Sequence, residues 1–111
     1  MTFDSNKAAS AGIWIIDPHG NTKFVSQRMA EILGESKEAL ERGNSFDYIY
    51  PEDMDAARRL HQAKHKGDLN PYRFRLRRAD GSPVWVEVQG TPLFEDGKMS
   101  VVVGTFQVVE G

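Results

Sequence analysis

Histidine, carboxylate and arginine are the side chains here with chemistry to offer, because the chain of 111 residues contains no cysteine. That absence removes thiolate nucleophiles, disulfides and cysteine-ligated metal sites together, and fits a reducing compartment such as the cytoplasm. His61 and His65 stand at i, i+4, the spacing that lets two imidazoles reach one metal ion from a helix face. No third ligand accompanies them, and Arg58, Lys64 and Lys66 flank them, so they read as a solvated basic face with no metal. His19 falls in a turn. Asp17, Asp47, Asp53 and Asp80 each stand where a carboxylate serves a turn or a helix cap. A small cone-like α+β enzyme with a buried Asp or His as general base is therefore the alternative reading, not the leading one. No nucleophile, base and oxyanion-donor set occurs at a suggestive spacing, no Gly-rich phosphate loop is present, and the chain reads as a non-enzyme. Arg73, Arg75 and Arg77, with Arg78, form the strongest cationic feature, expected to be a solvated strand face paired with acids such as Glu87. A formal net charge of -2 gives no general attraction to polyanions, so nucleic acid is not an expected partner.

The elements that must position these groups follow from periodicity and punctuation. Gly12 to Asp17 is β-branched and aromatic, Pro18-His19-Gly20-Asn21 supplies a turn, and Thr22 to Val25 returns, which predicts a β-hairpin. Ser26 caps a short helix that presents Met29, Ile32 and Leu33 on one face and stops at Gly34; Ser36 and Gly43 bracket another through Leu40. Phe46, Ile49 and Tyr50 suggest a further turn or two. Pro51-Glu52-Asp53 reads as the first turn of a longer helix, since proline loses nothing at that position and carboxylates suit the positive end of the helix dipole. Gly67 ends that helix, whose apolar stripe reads as Ala56, Leu60 and Ala63, with His61 about 100° round from Leu60. Tyr72, Phe74 and Leu76 alternate with the arginines, Val84, Val86 and Val88 with Trp85, Glu87 and Gln89, and Val102, Gly104 and Phe106 with Val103, Thr105 and Gln107. The order is β-β-α-α-α-α-β-β-β. Hydrophobic residues at 40% and charged residues at 27% suit one globular domain, expected over 12–109, with 1–11 a tail or the remnant of a flanking helix and 110–111 a linker stub. No apolar run approaches membrane-spanning length, and no membrane insertion is expected.

In this order the motifs resemble those of the PAS domain family over nearly the whole chain. Gly12 through Gly20 is similar to that family's opening hairpin, Ile32-Leu33-Gly34 to the end of its first helix, and Tyr50-Pro51-Glu52-Asp53 to the entry of its long helix. Phe74-Arg75-Leu76, Asp80-Gly81-Ser82, Val84-Trp85-Val86, Pro92-Leu93 with Asp96-Gly97, and Gly104-Thr105 are similar to its last strands. The resemblance implies an α+β fold, a five-stranded antiparallel sheet with short helices and one longer helix packed on one face. It also implies a cytoplasmic sensory, dimerisation and relay module of a larger signalling protein, such as a histidine kinase, a cyclic-dinucleotide enzyme or a transcription regulator. One departure is visible: the family's closing Asp-Ile-Thr, which ties the sheet to the helix leading to the output domain, is replaced after Gln107 by Val108-Val109-Glu110.

The resemblance also bears on ligands. Flavin-adduct members need a cysteine, which excludes that photochemistry, and the positions matching their flavin-holding amides are Leu76, Val86 and Phe106, so no flavin is expected. The position matching the haem-ligating histidine is Ala56, so no haem is expected either. The expected pocket walls are Trp14, Ile16, Phe24, Met29, Ile32, Phe46, Ile49, Ala56, Leu60, Leu76, Val86 and Phe106. Phe106, Met29 and Leu60 are bulky enough that the aromatic set Trp14, Phe24, Phe46, Tyr48, Tyr72, Phe74 and Phe106 reads first as a filled core, and second as the lining for a small apolar ligand. The first strand is apolar on both faces, Trp14 and Ile16 on one and Ile13 and Ile15 on the other, so something covers its outer side. A second copy, an upstream helix or an output helix are the expected covers, with Ile13, Ile15, Trp85 and Val103 as interface residues. A ligand-free dimerisation module shares all these features.

Overall fold

The computed structural model describes residues 10–110. The expected N-terminal tail lies outside these residues except for Ser10 and Ala11, as does Gly111 of the expected stub. Strands β1 (Gly12–Ile16), β2 (Thr22–Val25), β3 (Tyr72–Arg77), β4 (Pro83–Glu95) and β5 (Lys98–Val108) form one antiparallel sheet in the order β2-β1-β5-β4-β3. Pairing of β1 with β5 joins the N-terminal hairpin to the C-terminal strands, as expected for the fold. In the turn between β1 and β2, the Asp17 carboxylate accepts from the His19 and Asn21 N–H groups, which holds its pKa below the usual value against the cost of burial.

Helices α1 (Gln27–Leu33), α2 (Lys37–Glu41) and α3 (Met54–Lys64) lie between the hairpin and β3. Ser26 and Ser36 accept from the Met29 and Ala39 N–H groups, and Gly34 closes α1 in the left-handed conformation at φ 63°. Met29 and Ile32 press on β1 so closely that a Cβ on Gly12 would stand 2.7 Å from the Met29 sulfur and 3.1 Å from Ile32 Cδ1. Ser45–Tyr48 and Pro51–Asp53 are 3-10 turns. The latter corrects the expected first turn of the long helix: α3 proper starts at Met54, and the Asp53 carboxylate is spent on β3 instead of on capping the helix.

The intervening chain covers part of both sheet edges, which reduces the free strand edge that invites aggregation. Along β3, the Arg75 N–H donates to Asp53 Oδ2 at 2.8 Å and the Arg75 carbonyl accepts from the Tyr50 N–H at 3.1 Å. Beside β2, Thr22 donates to the Gly43 carbonyl and Ser45 to the Gly20 carbonyl. The core lies between the helices and the concave face of the sheet, where Trp14, Val25, Met29, Leu33, Leu40, Leu76 and Val86 are almost wholly buried.

Candidate functional site

Alternation along the strands sends Trp14, Ile16, Phe74, Leu76, Val88 and Phe106 to the concave face, and α3 crosses it. Large side chains do not close the space between them. A cavity of about 100 Å³ remains, so the aromatic core is not filled as its bulk suggests. Gly104 keeps it open, because a Cβ there would meet the Phe106 ring at 2.9 Å and the Trp14 carbonyl at 3.2 Å. Trp14 packs its ring against Tyr48 and Phe106 and donates its indole N–H to Thr22 Oγ1 at 2.9 Å, so its polar end is satisfied away from the cavity.

Of the expected pocket residues, Trp14, Ile16, Phe46, Ile49, Leu60, Leu76 and Phe106 line this cavity. Met29, Ile32 and Val86 are buried elsewhere in the core. Phe24 points away: Trp14 pairs with Val25 and Ile15 with Phe24, so Val25 takes the inward position and Phe24 is 46% exposed on the opposite face. Ala56 is displaced as well. The inward stripe of α3 runs through Ala57, Leu60, His61 and Lys64, about one residue round from the stripe Ala56, Leu60, Ala63. The reason is that two residues read as a solvated basic face carry enough apolar surface to face inward.

His61 is half-buried, edge-on to Phe46 and to His65, and its Nε2 donates to the Pro18 carbonyl at 2.6 Å, tying α3 to the hairpin turn. Burial lowers its pKa, opposed by the Pro18 bond. Among the described residues no group of three or more metal-ligating side chains comes together. Lys64 is the larger surprise: it is 5% exposed, and its Nζ donates to the carbonyls of Asp68 at 2.9 Å and Asn70 at 3.2 Å. Its pKa falls because of burial, with Asp68 pulling the other way. Tyr72 donates its hydroxyl to the Asp68 carboxylate and Gln89 donates to the Leu69 carbonyl, so the 65–71 segment is pinned over this end of the cavity.

Arg73, Arg75 and Arg77 are each paired differently, whereas Arg78 Nε is buried without a hydrogen-bond partner. Arg73 meets Glu87 at 3.0 Å, as the pattern suggested, and Arg77 donates to the Asp47 carbonyl. Arg75 makes a bidentate pair with Asp53 at 3.0 and 2.7 Å, and its hydrogen bonds hold the Asp53 carboxyl below its usual pKa. Arg75 therefore fastens the entry of α3 to the edge of the sheet.

On the outer face, Phe24, Ile15 and Val103 stand in register across β2, β1 and β5, flanked by Ile13 and Leu93, while Trp85 lies apart on β4, opposite Arg75 and beyond Glu87 and Gln89. Phe24, Ile13, Leu93 and Trp85 are exposed. Phe24 and Leu93 join Ile13, Ile15 and Val103 of the expected set in one apolar surface, and Trp85 of that set stands outside it, with the Arg75 guanidinium over its ring.

The sequence pattern described as the PAS fold matches residues 22–106. No curated protein matches the chain. Among solved structures, the PAS-B domain of Drosophila melanogaster Cycle with bound glycerol superposes with a TM-score of 0.78 at 16% identity, covering 88% of this chain and 99% of that one. The N-terminal domain of a diguanylate cyclase with a PAS/PAC sensor from Marinobacter aquaeolei gives 0.76 at 17% identity, covering 88% and 94%. A domain of the sensory box sensor histidine kinase/response regulator from Geobacter sulfurreducens gives 0.74 at 18% identity, covering 91% and 85%.

Proposed function

We propose that the chain, which belongs to the PAS fold family, is a non-catalytic sensory module that binds a small apolar ligand between α3 and the sheet and relays occupancy to an output domain of the same polypeptide. The observation that carries this reading is the cavity of about 100 Å³ walled by Trp14, Leu60, Phe74, Leu76 and Phe106. An apolar pocket of that size, partly open to solvent, leaves its lining short of dispersion contacts that an apolar ligand restores. Filling it favours whichever packing of α3 and the 65–71 segment fits the ligand, and that shift is the signal. The similarity to domains of a histidine kinase and a diguanylate cyclase makes outputs of those classes the ones to look for.

The same reading places a second copy of the chain on the outer face, where Ile13, Ile15, Phe24, Leu93 and Val103 form a patch of the kind that marks an association surface. It places the protein in the cytoplasm, with no nucleic acid and no metal or cofactor. No helix among the described residues is long and apolar enough to cross a membrane.

Native mass spectrometry of the protein purified from its own host tests the ligand. The expected result is a small-molecule adduct near one per chain that is shed on collisional activation. A bare mass, together with failure of any small apolar probe to bind, overturns ligand sensing and leaves a ligand-free dimerisation module.

A further inference from the structure

Lys64 is the charged residue buried among the described residues, and its position invites a reason. A lysine stem long enough to cover apolar surface ordinarily carries its amine out to water, because desolvating the amine costs free energy. Here the amine stays inside. The sheet makes room for it: a Cβ on Gly90 would stand 3.1 Å from Lys64 Cε and 3.7 Å from Nζ, and Gly90, Tyr72 and Lys64 all border the cavity.

The donors can be counted. An ammonium has three N–H groups. The Asp68 and Asn70 carbonyls take two of them. The Asp68 carboxylate forms an ion pair with Nζ at 3.6 Å, which offsets its charge but is too long for a directed hydrogen bond, and it is itself engaged by the Tyr72 hydroxyl. The Tyr72 ring lies 5.0 Å away, a weak partner for a donor. One strong donor is thus left beside a cavity whose other walls are almost entirely carbon.

We propose that Lys64 is the polar handle of the cavity, and that the ligand is a compact uncharged molecule with an apolar body and one carbonyl oxygen that accepts a hydrogen bond from Lys64 Nζ. This rests on the reading of the cavity as a ligand site. A carbonyl completes the set of acceptors around the amine without disturbing the bonds that pin the 65–71 segment. A hydrocarbon leaves the donor unpaired. A carboxylate enters beside the existing charge of Asp68 and among Trp14, Phe74 and Leu76, which do not solvate it. The cavity sets the size: about 100 Å³, somewhat less than the roughly 150 Å³ that accommodates benzene in an engineered apolar cavity.

Acetone and 2-methylpropene are small enough for this volume, have one shape and differ in C=O against C=CH2. Titrated into the wild-type protein and followed by amide and methyl NMR shifts, the ketone is expected to bind about tenfold more tightly, the worth of one hydrogen bond from a charged donor. In Lys64→Met, which keeps an apolar stem, the preference is expected to shrink to within about threefold. Equal binding of the two by the wild-type protein, or a preference that survives Lys64→Met, overturns the handle while leaving the ligand site standing. Tighter binding of acetate than of acetone, which it matches in size, overturns the uncharged ligand. Failure of every probe overturns both the handle and the ligand site. If Lys64→Met does not fold, the wild-type comparison decides alone.

Discussion

Trp14 and Ile13 are neighbours on β1 and opposites in setting. Trp14 is 2% exposed beneath α3, with its ring against Tyr48 and Phe106; Ile13 is 37% exposed on the far side of the same sheet. The same contrast runs across the strands. On the concave side apolar residues are covered by helices and line a partly open cavity, and on the outer side Phe24, Ile15, Val103 and Leu93 are just as apolar with no element of the described chain upon them. Folding free energy is therefore concentrated on one face and association potential on the other, which makes the two separable by mutation.

The largest expected effect comes from truncating both members of that pair. Trp14→Ala empties a packed position and strips Thr22 Oγ1 of its indole partner, and should cost about 3–5 kcal/mol in denaturant unfolding. Ile13→Ala loses little that the isolated chain uses, and should cost under about 1 kcal/mol. Comparable costs at the two positions would mean that the outer face is packed in the folded monomer, and the contrast would fail.

The clasp at the edge of the concave face sharpens the comparison through pH. Bonding to Arg75 lowers the Asp53 pKa from the ordinary 3.8, so the folded state favours the ionised carboxylate. Its contribution is complete above that value and disappears as pH falls through the lower folded value, where protonation breaks the pair. Asp53→Asn should destabilise the protein at neutral pH and flatten the acid limb of its stability curve, without abolishing that limb, since Asp17 and Asp80 are also lowered. An unchanged acid limb would remove the clasp as a stabilising element.

His61 gives a smaller effect of different origin. Burial lowers its pKa from 6.5, so the fold prefers the neutral ring. Above 6.5 the ring is neutral in both folded and unfolded states and nothing is lost. As pH falls from 6.5 through the folded value, the unfolded chain binds the proton more readily and stability declines. His65 and His19 oppose a charge on His61, and Asp17 favours it. His61→Gln keeps a donor for the Pro18 carbonyl and should level the decline in thermal denaturation between neutral and mildly acidic pH. A slope that persists in the variant would assign the titration elsewhere.

These residues also mark how far the sequence was legible. Strict alternation at Phe74, Leu76, Val84, Val86 and Val88 announced the strands, and Ser26, Gly34 and Ser36 announced helix ends, because period and capping are local properties. Phe24 was misplaced because a hairpin's inward face depends on register, and an irregularity between Ile15 and Ile16 decides it. The inward face of α3 falls one residue round from the Ala56, Leu60, Ala63 stripe because His61 and Lys64 carry apolar surface that their charge conceals in the sequence. What turns them inward is nonlocal: the Pro18 carbonyl lies 43 residues before His61 along the chain, and Gly90 clears the space for Lys64. The cavity itself could not be read from residue volumes, since it depends on how Gly104 lets the Phe106 ring lie.

The smallest expected change in stability belongs to the outer face, and it tests the other half of the contrast. Ile15 stands between Phe24 on β2 and Val103 on β5, near the middle of the apolar surface. Ile15→Glu puts a carboxylate there that remains hydrated in the monomer, so the monomer's unfolding free energy should move by no more than about 1 kcal/mol. In a symmetric dimer built on this face the same residue recurs on the partner copy near the axis, so one substitution buries two like charges in an apolar setting. Sedimentation equilibrium should then show the wild-type dimer shifting to monomer in Ile15→Glu, while Glu87→Gln, at the polar end of the same face beside Arg73, leaves the association within about threefold. A dimer that persists in Ile15→Glu moves self-association off the sheet, and the exposed apolar row would then await a helix of the same polypeptide.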